Sequence, residues 1–394
     1  MRVAVATSGA SAGIGGGYTF EREVLDQLLR LAEESPHTFV VLDAPHVDAA
    51  VPANVTLVRR PIPPLRLLAR VAGRRGLDWR LARLGIDVVW NLFPFHRVST
   101  LPYLSIVWDL QHRLQPFFPE VSAGGQWRAR ERQFAERLQR AALVIAGTEA
   151  GKHEIARFYG VPEERIRLLP HPTPRFALEA ASGGVDVARR FGLDPGFILY
   201  PAQFWPHKNH VGLLLALAHL RAGGLRLPLV LVGSDQGSRA HVLREAQRLG
   251  LEDQVRVLGF VSTEELVALY RTALCLAYVS FFGPENLPPL EAFALGCPVV
   301  AAEVPGAREQ LGEAAVRVDA TRPDLLAGAI RRLHEEPALR AGLIERGRAR
   351  ARAWTGAHFV RGAFTLLDEL VPYTRCWRPL HSGERADRAA SGSA

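Results

Sequence analysis

Four stretches of the chain carry side chains whose types and spacing could do chemistry. In YPAQFWPHKNH, Tyr200 to His210, Lys208 stands just after an apolar run and Pro206 and just before the amphipathic HVGLLLALAHL. Its ammonium and the N-terminus of the following helix could hold a diphosphate together. A solvated lysine gives the same pattern, although the flanking Trp205 and Asn209 argue against an idle loop. In SFFGPENLPPLEAFALGCPVVAAEVPG, Ser280 to Gly306, Pro288 and Pro289 suit a first helical turn, Gly296 suits the cap beyond its end, and Pro298 blocks extension. Glu291 then falls in the first turn. There it either complements the helix dipole by roughly 0.3–1 kcal/mol or accepts two hydrogen bonds from a diol such as a ribose. In GASAGIGGGYTF, glycines including Gly16 and Gly17 let backbone N–H groups approach an anion at a helix start. Tyr18 occupies the place that would complete a GxGxxG fingerprint, so a simple tight turn is an equal reading. In IVWDLQHRLQPFFPE, Asp109 ends a strand and His112 follows three residues later; each could serve function, or be a helix cap and a structural imidazole.

These groups can meet only if several strand ends share an edge. ALCLAYVS reads as a buried parallel strand, the loop and short helix of the second stretch follow it, and VVAA is the next strand. The loop therefore lies at a carboxyl edge, where open α/β sheets bind ligands. The first half alternates in the same way through RVAVAT, TFVVLDAP, IDVVWNL, YLSIVWD and ALVIAGT, with amphipathic stretches at Glu21 to Glu33 and Trp127 to Arg140, and IRLLPHP closes it. Thr173 to Gly196 is rich in Gly, Pro and Ala and suits a linker, and FILYPAQ, PLVLVGS and VRVLGF open a second alternation. The fold class expected is α/β: two doubly wound, Rossmann-like domains facing each other across a cleft.

Bulk properties set the class. A length of 394 residues suits two or three domains, and 48% hydrophobic with 22% charged residues is ordinary globular composition. No apolar run nears the roughly 20 residues of a membrane helix. The five-residue apolar start is too short for a signal peptide. Three cysteines without CxxC spacing fit reduced thiols in a cytoplasmic protein and no zinc site. The net charge of +8 is concentrated in Arg59 to Gly85, which holds eight arginines against Asp78. That segment is either a solvated arginine face or a contact for an anionic membrane surface, while nucleic-acid motifs are absent. The tail from Cys376 is polar and rich in Gly and Ser, and expected to be disordered.

The combination of FWPHKN, FGPENLPPLEAFALGCPVVAA about eighty residues later, and PGAREQLGEAAVRVD resembles the retaining nucleotide-sugar glycosyltransferases of family 4, with the GT-B fold. The resemblance is strong from about Phe197 to Trp354 and weaker but consistent before that. It implies an acceptor-side domain at 1–172, a linker at 173–194, a nucleotide-sugar-binding domain at 195–354, and a helix at 355–372 that packs back on the first domain. It implies a hexosyltransferase, such as a mannosyltransferase of polysaccharide biosynthesis. The sugar passes from a GDP- or UDP-linked donor to an acceptor hydroxyl, for instance on a lipid-linked glycan, with no metal or other cofactor. The protein is then cytoplasmic or peripheral at the inner face of the cell membrane.

Residue by residue, the resemblance gives Lys208 to the diphosphate, Glu291 to the ribose, Phe260 and Val261 to the base, and Gly16 and Gly17 to the phosphates. Asp109 and His112 border the reacting sugar on the acceptor side. There are three departures from the family pattern: Gly283 stands where a first glutamate pairs with Glu291, Gln203 stands nearest a usual basic residue on the donor side, and Trp108 replaces a histidine before Asp109. Glu285 lies two positions on, roughly 6.6 Å away in an extended loop and too far to substitute. The expectation is instead that amides around Asn286 and Leu287, with Asn286 left-handed, hold the donor. Two other classes stay open. An NAD(P)-dependent oxidoreductase would use the glycine loop and Asp43 but lacks an intact GxGxxG; a non-catalytic nucleotide or carbohydrate binder would keep the fold alone.

Overall fold

Short apolar runs separated by amphipathic stretches fold into two parallel sheets in the computed structural model, which describes residues 1–9, 15–43, 50–58, 73–96, 99–181 and 183–376. The first sheet holds β1 (Arg2–Ala6), β2 (Thr38–Leu42), β3 (Val55–Val58), β4 (Val88–Asn91), β5 (Tyr103–Ile106), β6 (Leu143–Ala146) and β7 (Ile166–Leu168). The second holds β8 (Ile198–Pro201), β9 (Leu229–Val232), β10 (Val255–Gly259), β11 (Cys275–Tyr278), β12 (Val299–Ala302) and β13 (Ala315–Val318). Runs such as LVIA in β6 and VVAA in β12 are buried along their whole length, as strands covered on both faces must be. Strand order is β3-β2-β1-β4-β5-β6-β7 and β10-β9-β8-β11-β12-β13. The pairings are parallel in the first sheet and in the second. Order reverses between β1 and β4 and between β8 and β11, and at such a reversal the loops leaving the strands diverge and open a crevice.

Helices cover the sheets: α1 (Gly16–Leu31), α2 (Gly73–Arg83), α3 (Gln126–Arg140), α4 (Glu149–Tyr159), α5 (His210–Ala222), α6 (Thr263–Thr272), α7 (Leu287–Leu295), α8 (Pro337–Ala353) and α9 (Gly356–Thr374). In α5, Leu213, Leu214, Leu217 and Leu220 are buried in the core, each worth about 1.5–3 kcal/mol relative to exposure. Two doubly wound domains facing across a cleft are what the sequence pattern predicts, and the GT-B arrangement is what the family resemblance implies. It does not predict β3 and β13, edge strands half open to solvent that mix polar with apolar residues.

The chain crosses between the domains twice, at adjacent points. Thr173 bridges Thr355 in parallel, and the Trp354 indole N–H donates to the Pro170 carbonyl at 2.8 Å. α9 then lies on the first domain, with Phe359 edge-on to Phe20 at 5.3 Å, Phe364 stacked on Phe39 at 5.4 Å and Arg361 paired with Glu34 at 2.8 Å. The segment 173–194 is not bare linker, since it holds helical turns at Arg175–Leu178 and Val187–Phe191. Of the arginine-rich segment, residues 59–72 and the side chains of Arg74 and Arg75 lie outside the described residues, as does the tail beyond Cys376. In α2, Trp79 is exposed and the Arg83 guanidinium lies 4.8 Å from its ring centre. Among the described residues no helix is long and apolar enough to cross a membrane. Cys275 and Cys297 are buried free thiols.

Candidate active site

The carboxyl edges of the two sheets face each other across a cleft of about 580 Å3. Gly16, Gly17 and Asp109 line it from the first domain, and Gln203, Lys208, Phe260, Val261, Asn286, Leu287 and Glu291 from the second. His112 does not line it. This imidazole is fully buried, stacked on Phe134 at 5.5 Å, with Nε2 3.0 Å from the Tyr159 hydroxyl and 3.3 Å from Glu131. Burial holds its pKa below the usual value, so it stays neutral at pH 7. The expectation of a catalytic His112 is thereby corrected: the ring sits behind the wall, and its carbonyl accepts the Trp127 indole N–H at 2.7 Å.

Lys208 reaches the cleft because a single turn, Pro206–Lys208, is ended by Asn209 at φ 55°. Asparagine tolerates that left-handed backbone through local side-chain bonds. Its Oδ1 accepts the Gly212 N–H at 3.1 Å, and its Nδ2 donates to the Val279 and Ala320 carbonyls at 3.2 and 3.0 Å. The start of α5 is thus partly satisfied by Asn209. The Lys208 ammonium donates to the Tyr278 hydroxyl at 2.9 Å. Among the described residues no carboxylate pairs with it.

Gln203 spans the mouth of the cleft. It accepts from the Trp205 indole at 3.0 Å, donates to the Ser234 hydroxyl at 3.0 Å, and lies 3.5 Å from where a Cβ on Gly15 would be. Across the cleft, a Cβ on Gly17 would stand 2.9 Å from the Trp108 ring, so only glycine lets the indole lie over the start of α1. Asp109 caps its own loop by accepting the Gln111 N–H at 3.0 Å and pairs with Arg130 at 3.3 Å. Phe260 presents a ring that is 69% exposed beside the buried Val261.

The α7 region departs from expectation in two ways. The helix begins at Leu287, so Glu291 sits one turn in, where a dipole effect confined to the first turn has faded. Its carboxyl is buried, accepts the Tyr270 hydroxyl at 2.8 Å and is pushed up to about pH 7 by burial. Asn286 is extended at φ −141°, not left-handed. Its backbone N–H goes to Gln310 Oε1 at 3.0 Å and its carbonyl accepts from Gln310 Nε2 at 3.0 Å. That amide is therefore committed within the second domain. The left-handed bend falls on Gly283 instead, at φ 129°.

Sequence reasoning missed Tyr278, His171 and the pair Glu120–His207, and weighed Glu285 only to set it aside. Glu285 turns toward the first domain. Its carboxyl is 4% exposed, accepts the His171 N–H at 2.6 Å, and fills the space a Cβ on Gly147 would need. Burial pushes it up to about 8. Glu120 joins the domains again, 2.5 Å from His207 Nδ1 and 3.1 Å from its backbone N–H. Burial works against Glu120's ionisation, but these hydrogen bonds outweigh it and hold the pKa low.

Comparison with known proteins agrees with this geometry. Residues 187–350 match the family described as glycosyl transferases group 1. The O-antigen chain mannosyltransferase B of Escherichia coli is 30% identical over 245 residues, 60% of this chain and 63% of its own length. The D-inositol 3-phosphate glycosyltransferase of Streptomyces bingchenggensis is 33% identical over 211 residues, 50% of this chain and 46% of its own. The chain thus spans less than two thirds of the length of these curated relatives. Among solved structures, sucrose-phosphate synthase from Thermosynechococcus elongatus superposes with a TM-score of 0.72 at 21% identity, covering 95% of this chain and 100% of that one. Anabaena Alr3699/HepE in complex with UDP and glucose gives 0.68 at 18% identity, covering 94% and 100%. These superpositions establish the GT-B fold. The similarity to the glycosyl transferases group 1 family lies in residues 187–350, chiefly the second domain.

Proposed function

We propose that the chain is a retaining glycosyltransferase that moves a hexose-type sugar from a GDP- or UDP-linked donor to an acceptor hydroxyl. The observation that carries the reading is the pairing, in one cleft at two facing strand-order reversals, of a lysine without a carboxylate partner among the described residues and the buried carboxyl of Glu291. The relative named as a mannosyltransferase supports a mannose donor, and the neighbour solved with UDP and glucose supports a nucleotide-linked one.

In this reading the diphosphate lies between Lys208 and the first amides of α1 at Gly16 and Gly17. Glu291 accepts the ribose diol, and Phe260 and Val261 border the base. Leu287 offers the N–H at the start of α7, while Asn286 supports the loop through its side chain. Asp109, held by Arg130, borders the acceptor. As the anomeric C–O bond breaks, its electron pair moves onto the phosphate oxygen, and Lys208 stabilises that charge where water is excluded. The acceptor oxygen bonds to the anomeric carbon on the same face and its proton passes to the departing phosphate oxygen, so configuration is kept. No metal is required in this scheme. A glycan or lipid-linked acceptor, with an anionic membrane surface at Arg59 to Gly85, completes the reading; a nucleic-acid partner has no place in it. The protein then works in the cytoplasm or at the inner face of the cell membrane. The oxidoreductase reading is less favoured, since Asp43 is paired with Arg80 at 3.2 Å.

The test is release of GDP or UDP from GDP-mannose and UDP-glucose by the purified protein, with an acceptor or by slow hydrolysis. Lys208→Ala should abolish most of it. A protein that binds no nucleoside diphosphate and releases none would sink the proposal.

A further inference from the structure

We propose that Tyr278 is a positioning residue for Lys208, set by a directional chain of hydrogen bonds that starts at the Gly283 carbonyl. The inference rests on the diphosphate role given to Lys208 above. A cation meant for a diphosphate has to be held without being neutralised, and here neutral groups hold it.

Direction enters at Asn286. Its Nδ2 donates to the Gly283 carbonyl at 2.9 Å, which turns Oδ1 the other way, where it accepts the Tyr278 hydroxyl at 2.9 Å. A phenol has one proton. With that proton committed to Asn286, the Tyr278 oxygen can only accept, and it accepts from Lys208 Nζ at 2.9 Å. Each handover fixes the next. An ammonium has three donors, so one is used and two are left for the cleft. The anchor is rigid: Tyr278 is the last residue of β11 and is buried. It packs edge-on against Tyr200 at 5.7 Å, whose own hydroxyl donates to the Lys208 carbonyl at 2.5 Å. One tyrosine thus holds the lysine's main chain and the other its ammonium.

The glycine at 283 belongs to the same device. A Cβ there would stand 2.6 Å from Asn286 Oδ1 and 2.8 Å from Nδ2, and φ is 129°. A side chain on residue 283 and the amide of Asn286 exclude each other.

The test is a double-mutant cycle on the full chain, read by calorimetric binding of inorganic pyrophosphate and by initial rates with a nucleotide sugar. Tyr278→Phe is expected to weaken pyrophosphate binding about tenfold or more, the usual loss for one hydrogen bond to a charged group, and to add nothing in a Lys208→Ala background. Asn286→Leu, which keeps the phenol but frees its proton, is expected to give a similar loss. The proposal is overturned if Tyr278→Phe binds like the unaltered protein. It is equally overturned if the loss repeats undiminished without Lys208, as a merely structural role requires, or if pyrophosphate binding does not depend on Lys208. Coupling between the two residues in a protein that transfers no sugar would remove the proposed function and leave this inference standing.

Discussion

The Glu285 carboxyl accepts the backbone N–H of His171 at 2.6 Å, a bond between the loop that precedes α7 and the segment where the chain leaves the first domain. The His171 imidazole lies 3.9 Å from the Glu285 carboxyl, but desolvation pushes it down to about 4, so it stays neutral near pH 7 and sets no positive charge against Glu285. Burial, reinforced by the negative charge of Glu309, keeps the carboxyl protonated, at about 8 against an ordinary 4.5. The folded protein therefore binds a proton here that the unfolded chain releases, and stability contributed by this group falls as pH rises from about 4.5 to about 8. Glu285→Gln keeps an oxygen for the His171 N–H and removes the titration. Its melting temperature should fall less steeply over that range than that of the unaltered protein and exceed it above pH 8. Parallel curves would show that Glu285 titrates normally.

Lys208→Ala should lower turnover by ~10²–10³-fold, as loss of one transition-state donor does, with little change in melting temperature because the ammonium is held by a single neutral partner. Unchanged rates with a full nucleotide sugar would remove the lysine from the reaction.

Closure of the domains can be tested at Gly147. A Cβ there would stand 1.3 Å from Glu285 Oε2, and Glu309 reaches the same place, accepting the Glu149 and Ala150 N–H groups at 2.6 and 3.1 Å at the start of α4. Gly147→Val should keep each domain folded and nucleotide binding intact while lowering kcat by about tenfold or more, because reactants are no longer aligned by closure. Small-angle scattering should then report a more open particle. Unaltered scattering together with unaltered kcat would mean that this contact does not govern closure.

Activity should survive EDTA. Among the described residues no group of three His, Cys, Asp or Glu side chains could hold a metal ion, and the charge of the diphosphate is met by Lys208 in the proposed reaction. Activity lost to the chelator and restored by a divalent metal would contradict this.

Much of this architecture was legible because buried strands such as β6 and β12 are continuous apolar runs, a signal that survives without context. β3 and β13 were not, because edge strands need not be apolar. The cleft residues after β8 and before α7 could be read from Pro, Gly and charge placed at strand ends. Tyr278 and Glu285 could not. A tyrosine closing an apolar run looks like core, and whether Glu285 faces solvent or the other domain depends on the bend at Gly283, which tertiary packing against Asn286 decides. His112 failed for the converse reason: it follows Asp109 by three residues in the sequence, but Phe134 and Tyr159, distant in sequence, enclose it.

Glu291 offers the sharpest test of donor recognition. Tyr270 occupies one oxygen at 2.8 Å, and burial brings the carboxyl to about 7, so near neutrality it is divided between its two forms. The ionised form accepts stronger hydrogen bonds from a diol than the neutral acid does. Donor affinity should therefore improve as pH rises from about 6 to about 8, and Glu291→Gln should flatten that dependence. Glu291→Ala should raise the donor KM by about tenfold or more, the size expected for lost hydrogen bonds to a charged group. It should also erase the preference for a ribonucleoside diphosphate over its 2′-deoxy analogue. A Glu291→Ala protein that folds, yet keeps that preference and the pH dependence, would place the ribose elsewhere in the cleft and leave Glu291 as a buried partner of Tyr270 alone.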